Sequence, residues 1–290
     1  MTSIETQVSS IDFRTRCIFL EDKILNSTQS GISEERYCDR ELIVSLASYG
    51  KRLREVALTI ESLMQQTLRP NRIILNLDPS ERNRPLPMSL KKQIKRGLTI
   101  NYTEEEIRSY KKLIPVLEKY PEALIITVDD DVLYNFDVVE RLFDSYLNNP
   151  DKVSALRVHT MKFDANDDLL PYNEWDMEKV TTENPRHIFP TGVGGILYPP
   201  HILSKEVFNR ETYMEICQTA DDVWFHAMAL KNGKCFVKAA SRNPEGNDYT
   251  LNVGLQKDGL YIINTGELAL NDKQIKAVYE KYGIYDILKS

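Results

Sequence analysis

The sequence predicts an α/β fold with a mainly parallel central sheet flanked by helices, and three observations carry that expectation. Short apolar runs rich in β-branched residues recur as "ELIVSL", "NRIILNLD", "LIITV" and "VSALRV", the length and composition of buried strands. Stretches with apolar residues at helical spacing lie between them, and strand-helix-strand order is what builds a parallel sheet covered on both faces. At 290 residues and 42% hydrophobic content, the chain can bury the core that one large domain or two fused halves require.

Taken in order, residues 1–38 are polar and weakly periodic and read as an N-terminal extension. "ELIVSL" is the first strand, and Leu53, Val56, Ala57, Ile60, Leu63 and Met64 give the helix after it an apolar face. "NRIILNLD" is the second strand. "LKKQIKRGL" then forms a short basic helix leading into "TINY". Thr103 and Glu106 have capping-box spacing, with Ile107, Tyr110, Ile114 and Leu117 as the apolar face of the helix they would open. "LIITV" is the central strand, Asp137 opens a further helix, and "VSALRV" is one more strand. Residues 162–190 are loop, followed by the glycine-bearing segment "PTGVGGILYPP". "ADDVWFHAMALKNG" reads as a helix closed by Asn232 and Gly233, and a C-terminal helix ends at Gly283.

Composition excludes several classes. A formal charge of −6 argues against a nucleic-acid partner, whose phosphates demand an excess of Lys and Arg. The apolar runs fall far short of the roughly 20 residues that cross a bilayer. The start "MTSIETQVSSIDFRTR" lacks the basic end and apolar core of a signal peptide. These features point to a cytoplasmic protein; the charges of the basic helix read as a solvated face, with attraction to the inner face of a membrane as the alternative. Cys17, Cys38, Cys217 and Cys235 show no zinc spacing and read as reduced thiols. The acceptor tripeptides at Asn26 and Asn101 have no meaning without secretion.

The feature that asks for an explanation is Asp129, Asp130 and Asp131 directly after "LIITV". In parallel sheets ligands bind beyond the carboxyl ends of the strands. On an extended backbone Asp129 and Asp131 project to one side and Asp130 to another. Carboxylates so close repel unless a cation meets them, and a hard divalent ion such as Mg²⁺ or Mn²⁺ suits oxygen ligands. Aspartates also cap helices and make turns, which would explain one of them but not three.

With "IVSLASYGKRL", "LNLD", "ITVDDDVLY", "GVGG" and "TADDVWF" in that order, residues 41–235 resemble the GT-A glycosyltransferases, in particular the bacterial family-2-like enzymes of surface-polysaccharide synthesis. The resemblance implies a GT-A, Rossmann-like nucleotide-binding fold. It implies a catalytic domain over 39–250, with a nucleotide-sugar half (39–135), an acceptor half (136–250) and a C-terminal helical segment (251–290). It implies a nucleotide-sugar donor, usually a UDP-sugar, a glycan or lipid-linked acceptor, and a divalent cation. Carried over by position, Tyr49 borders the base and Asp78 hydrogen-bonds it. Asp129 and Asp130 reach the ribose or share the metal, and Asp131 is the principal metal ligand. The family often has an acidic pair where only Asp78 stands here. Arg108 and Lys111 become contacts to the nucleotide or diphosphate, or else a solvated helix face.

Asp221 and Asp222 open a predicted helix, where the positive end of its dipole favours carboxylates. By the same resemblance Asp222 is the catalytic base and Asp221 orients it or binds the acceptor; the other reading is that the pair only caps the helix. Gly192, Gly194 and Gly195 let backbone approach a sugar or make a tight loop. Trp224 stacks on an acceptor sugar or joins the core. His201 and His226 read as structural. Two other readings stand beside the transferase. "DDDVL" also fits the haloacid-dehalogenase phosphatases, with Asp129 as nucleophile and Asp131 as general acid, although there the motif sits on the first strand. The other is a non-catalytic carbohydrate-binding protein.

Overall fold

The computed structural model describes residues 3–241, 248–251, 264–266 and 268–289, with the side chains of 3–10 excepted. Its helices are α1 (Ser3–Asn26), α2 (Val56–Met64), α3 (Met88–Ile94), α4 (Ile114–Lys119), α5 (Val138–Asn148), α6 (Arg210–Ile216), α7 (Asp221–Lys231), α8 (Leu270–Tyr282) and α9 (Ile284–Lys289). Its strands are β1 (Leu42–Ala47), β2 (Arg72–Leu77), β3 (Leu98–Tyr102), β4 (Leu124–Thr127), β5 (Val132–Tyr134), β6 (Lys152–Ala155), β7 (Val158–Thr160), β8 (Ile188–Pro190), β9 (Ile196–Tyr198), β10 (Cys235–Lys238) and β11 (Tyr249–Leu251).

A seven-stranded sheet runs in the order β3-β2-β1-β4-β9-β6-β10. It is parallel except for β9, which is antiparallel to both β4 and β6. The expected mainly parallel α/β architecture is therefore present. Alternation along the strands divides their side chains between two cores. Leu42, Val44, Leu46, Leu124 and Ile126 join one cluster, and Ile43 and Ile125 join the other. That two-sided burial is why these strands are continuously apolar. Asn76 is the polar exception in β2; its amide donates to the Ser45 hydroxyl (2.9 Å) and the Leu46 carbonyl (3.0 Å), and Asn101 donates to it in turn (2.9 Å).

The chain lays β2 and β3 to one side of β1, then returns to place β4 on the other. This reversal opens a crevice at the carboxyl ends of β1 and β4. Because β9 is antiparallel, its first residue Ile196 pairs with Thr127 and with Ala155 at the same edge. The glycine segment before β9 is thereby delivered beside the aspartates after β4.

Several local expectations change. Thr103 and Glu106 form no capping box: the Thr103 hydroxyl donates to the Leu77 and Glu105 carbonyls, and Glu106 accepts from Lys111. Regular helix begins only as a 3-10 turn at Arg108–Lys112 and as α4 at Ile114. "VSALRV" is two strands in different sheets, β6 and β7, with the chain bending at Leu156 and Arg157. The basic helix is not a wholly solvated face, since Arg96 just beyond it is buried in a pair with Glu61 (2.8 Å). The N-terminal segment contains α1, whose Leu20 and Ile24 are buried. Its Arg16 donates to the Tyr134 carbonyl (2.7 Å), Asn135 (3.1 Å) and Thr250 (3.0 Å), tying α1 to β5 and β11. Residues 252–263, most of the junction into the C-terminal segment, lie outside the described residues. Among the described residues no helix is long and apolar enough to cross a membrane.

Candidate functional site

The three aspartates do not continue the strand. β4 ends at Thr127, and Asp130 and Asp131 lie in the turn to β5. The alternation that would have put Asp129 and Asp131 on one side therefore does not apply, because it requires extended backbone. Asp130 and Asp131 instead share Arg52 from the turn after β1. Arg52 Nε and Nη2 donate to the two Asp130 oxygens at 3.0 and 2.5 Å, and Nη2 also meets Asp131 at 2.7 Å. Burial works to lower the guanidinium pKa, but the two carboxylates raise it above its usual value. Asp131 is pushed up to about 6, by burial first and then by the charge of Asp129, against the pull of Arg52. Burial raises Asp130 as well, with Arg52 opposing.

Asp129 is held by a different cation. Its carboxylate accepts from Lys112 Nζ at 3.1 Å, and its backbone N–H donates to the Tyr134 hydroxyl at 2.9 Å. That hydroxyl donates to the Val193 carbonyl (3.0 Å), pinning the glycine segment to the aspartate turn. Lys112 Nζ also lies 3.0 Å from Asp221 at the start of α7, with its side chain only 8% exposed. Asp222 completes the cluster: its Oδ2 accepts from the Gly192 backbone N–H at 3.0 Å, and its buried Oδ1 has no hydrogen-bond partner among the described residues. Burial pushes Asp222 up to about 7, Lys112 pulls against that shift, and Asp221 adds to it. Asp129 and Asp221, some 90 residues apart in sequence, meet across one ammonium.

At the β2 end of the edge, Asp78 pairs with Lys111 (3.2 Å) and accepts from the Ser80 hydroxyl. Burial opposes its ionisation, yet Ser80 and Lys111 together hold its carboxyl below the usual range. Lys111 is buried and spent on Asp78 and Glu106 (2.7 Å), so it is neither a solvated face nor an uncommitted phosphate contact. Arg108 is exposed, at φ 53°, with its backbone N–H on Glu106. Tyr49 follows β1 with its ring 52% exposed and Arg52 5.9 Å from its centroid, leaving an aromatic face open at the crevice.

Other assignments are corrected. Trp224 is completely buried, with its indole N–H on the Val207 carbonyl at 3.2 Å. It belongs to the core and reaches no acceptor. Gly195 has φ 91° and packs beside Leu142, Val138 and Val128, while a Cβ on Gly194 would stand 2.5 Å from that of Arg157. Backbone conformation and close packing explain both, in place of sugar contact. Gly192 is the glycine that borders the acids: its Cβ would lie 2.7 Å from Lys112 Nζ and 3.2 Å from Asp222 Oδ1. His226 is buried against Tyr279, and His201 pairs with Glu122 on the surface.

Arg52, Lys112 and Tyr134 were not singled out from the sequence. Arg52 and Lys112 stand one to three positions from residues that were, in "SYGKRL" and "YKKL", and the signal available was that clustered buried carboxylates need cations from somewhere.

No protein-family model matches this sequence, and no curated protein matches it. Among solved structures the chain is similar to HddC from Yersinia pseudotuberculosis, at 14% identity and a TM-score of 0.35 over 56% of this chain and 78% of that one. It is also similar to CMP:2-keto-3-deoxy-manno-octonic acid synthetase in complex with CTP, at 14% identity and a TM-score of 0.41 over 78% of this chain and 99% of that one. Superpositions this loose assign nothing to this chain's site.

Proposed function

We propose that this protein is a glycosyltransferase that moves a sugar from a nucleotide-sugar donor, in first place a UDP-sugar, to the hydroxyl of a glycan or lipid-linked acceptor. The observation that carries the reading is that Asp129 and Asp221 share Lys112 Nζ at 3.1 and 3.0 Å. This brings a strand-end acidic turn and a helix-start acidic pair to one crevice. A donor diphosphate and an acceptor hydroxyl need these two kinds of acid within one sugar's reach of each other.

Among the described residues no three carboxylate, imidazole or thiol groups form a ready metal cage. A Mg²⁺ or Mn²⁺ ion that keeps waters and takes phosphate oxygens needs only one or two protein carboxylates. Asp131 and Asp129 fit that demand, because the charge of Asp129 raises the cost of ionising Asp131 and a cation relieves it. Such an ion supplies charge neutralisation for the departing diphosphate.

The chain's own groups do the rest. Tyr49 offers a face to the base. Asp222, held near neutrality and carrying an unsatisfied oxygen, accepts the acceptor hydroxyl's proton as a general base, worth about 10² to 10⁴ in rate. The acceptor oxygen forms its bond to the anomeric carbon as the carbon–phosphate oxygen bond breaks, and the diphosphate leaves with the electron pair. One base opposite one leaving group suits inversion.

The test is a UDP-sugar panel with Mn²⁺, read by thermal stabilisation and by donor turnover, beside a generic phosphomonoester. Stabilisation by UDP that needs Mn²⁺ and disappears in Asp131→Asn supports the transferase. Phosphomonoester turnover without UDP binding overturns it in favour of a phosphatase, and neither response leaves a binding protein.

A further inference from the structure

The cations at this sheet edge differ in what they join. Arg52 is held by Asp130 and Asp131, and Lys111 by Asp78 and Glu106, so each ties together residues of the first half of the chain. Lys112 alone among these three crosses to the second half, meeting Asp129 after β4 and Asp221 at the start of α7. The charge of Asp222 also acts on it. Gly192 packs against it without a side chain, since a Cβ there would stand 2.7 Å from Nζ. A primary ammonium has three donors and here serves both carboxylates with one buried charge, so a change at either carboxylate alters the balance of its pull on the other.

We propose that Lys112 is a positioning residue that couples the strand-end aspartate to the helix-start pair, so that a change of charge at either end is felt at the other. When a ligand neutralises Asp129, the ammonium shifts its weight to Asp221 and Asp222; when Asp221 loses its charge, the ammonium turns to Asp129 and to any anion beside it. Coupling of this kind needs no long relay, because one buried group is common to both ends. It rests on the ion pairs themselves. Naming the ends as donor side and base side rests on the transferase reading.

The experiment uses the full chain. Asp129→Asn and Asp221→Asn, alone and together, are compared in the wild-type background and in Lys112→Met, by thermal unfolding without ligand. With Lys112 present, each Asn substitution is expected to shift the melting temperature at least about 3 °C further down than in Lys112→Met. The two together should cost more than the sum, because a buried ammonium is left without either partner. Equal shifts in both backgrounds, or simple additivity with Lys112 present, overturn the coupling. Where Lys112→Met does not fold, additivity in the wild-type background alone decides.

A second readout separates coupling from a merely structural role. In calorimetric titration with UDP and Mn²⁺, Asp221→Asn should change UDP affinity by about threefold or more in wild type and in Lys112→Arg, and by less in Lys112→Met. If wild type binds no UDP, the transferase reading falls, while the unfolding cycle still decides the coupling.

Discussion

Arg52 grips Asp130 through two nitrogens, Nε at 3.0 Å and Nη2 at 2.5 Å, with their side chains 16% and 9% exposed. The turn after β1 is thereby fastened to the turn after β4 across the crevice between them. Arg52→Met removes the guanidinium but leaves Asp130 buried, and breaking a buried pair from one side costs about 3 kcal/mol. Urea unfolding should show the loss, and Arg52→Lys should recover only part of it, because a point ammonium cannot make both contacts at once.

Asp222 predicts a dependence on pH. Its folded pKa of about 7 lies above the ordinary 3.8, so the folded protein holds a proton that the unfolded chain gives up. Its contribution is fully present below about pH 4 and is lost as pH rises to about 7. Asp222→Asn mimics the protonated form. Its melting temperature should match wild type at acidic pH and exceed it above neutrality, in a series from pH 4.5 to 8. If Asp222 is the base, the same variant keeps UDP binding and loses transfer.

Tyr134 joins the aspartate turn to the glycine segment through one hydroxyl, which accepts from Asp129 N–H and donates to the Val193 carbonyl. Tyr134→Phe leaves two part-buried backbone groups without this partner, at a cost of about 1 kcal/mol. Chemical unfolding measures the cost, and amide exchange at Asp129 should quicken relative to the centre of β4.

Gly192→Ala is expected to spare the fold and harm the site. The new Cβ meets the far end of the flexible Lys112 side chain at 2.7 Å, so the ammonium moves and the backbone need not. Melting should fall by only a few degrees, as the displaced ammonium weakens its pairs with Asp129 and Asp221. Displacing the groups that frame the reaction by a fraction of an ångström should lower donor turnover by about 10- to 100-fold.

Much of the architecture was legible before the structure. β1, β2 and β4 are buried on both faces and therefore apolar at most positions, and α7 and α8 end at glycines with positive φ, a requirement that composition announces. β9 escaped notice because "ILY" is too short to carry a period and follows glycines. The failed capping box has a similar cause: the spacing of Thr103 and Glu106 was right, but the Leu77 carbonyl competed for the hydroxyl.

At the site, the sequence by itself picked out the carboxylates that the fold brings to one sheet edge, because three acids after a buried strand and two opening a helix carry a cost that has to be met. It could not determine what meets that cost. The partners are Arg52, from the neighbouring strand's turn, and Lys112, whose ammonium reaches two segments far apart in the chain. Such pairings are fixed by the strand order and by the antiparallel insertion of β9. Only the tertiary structure decided them, since charges act through space and sequence spacing measures distance along the chain.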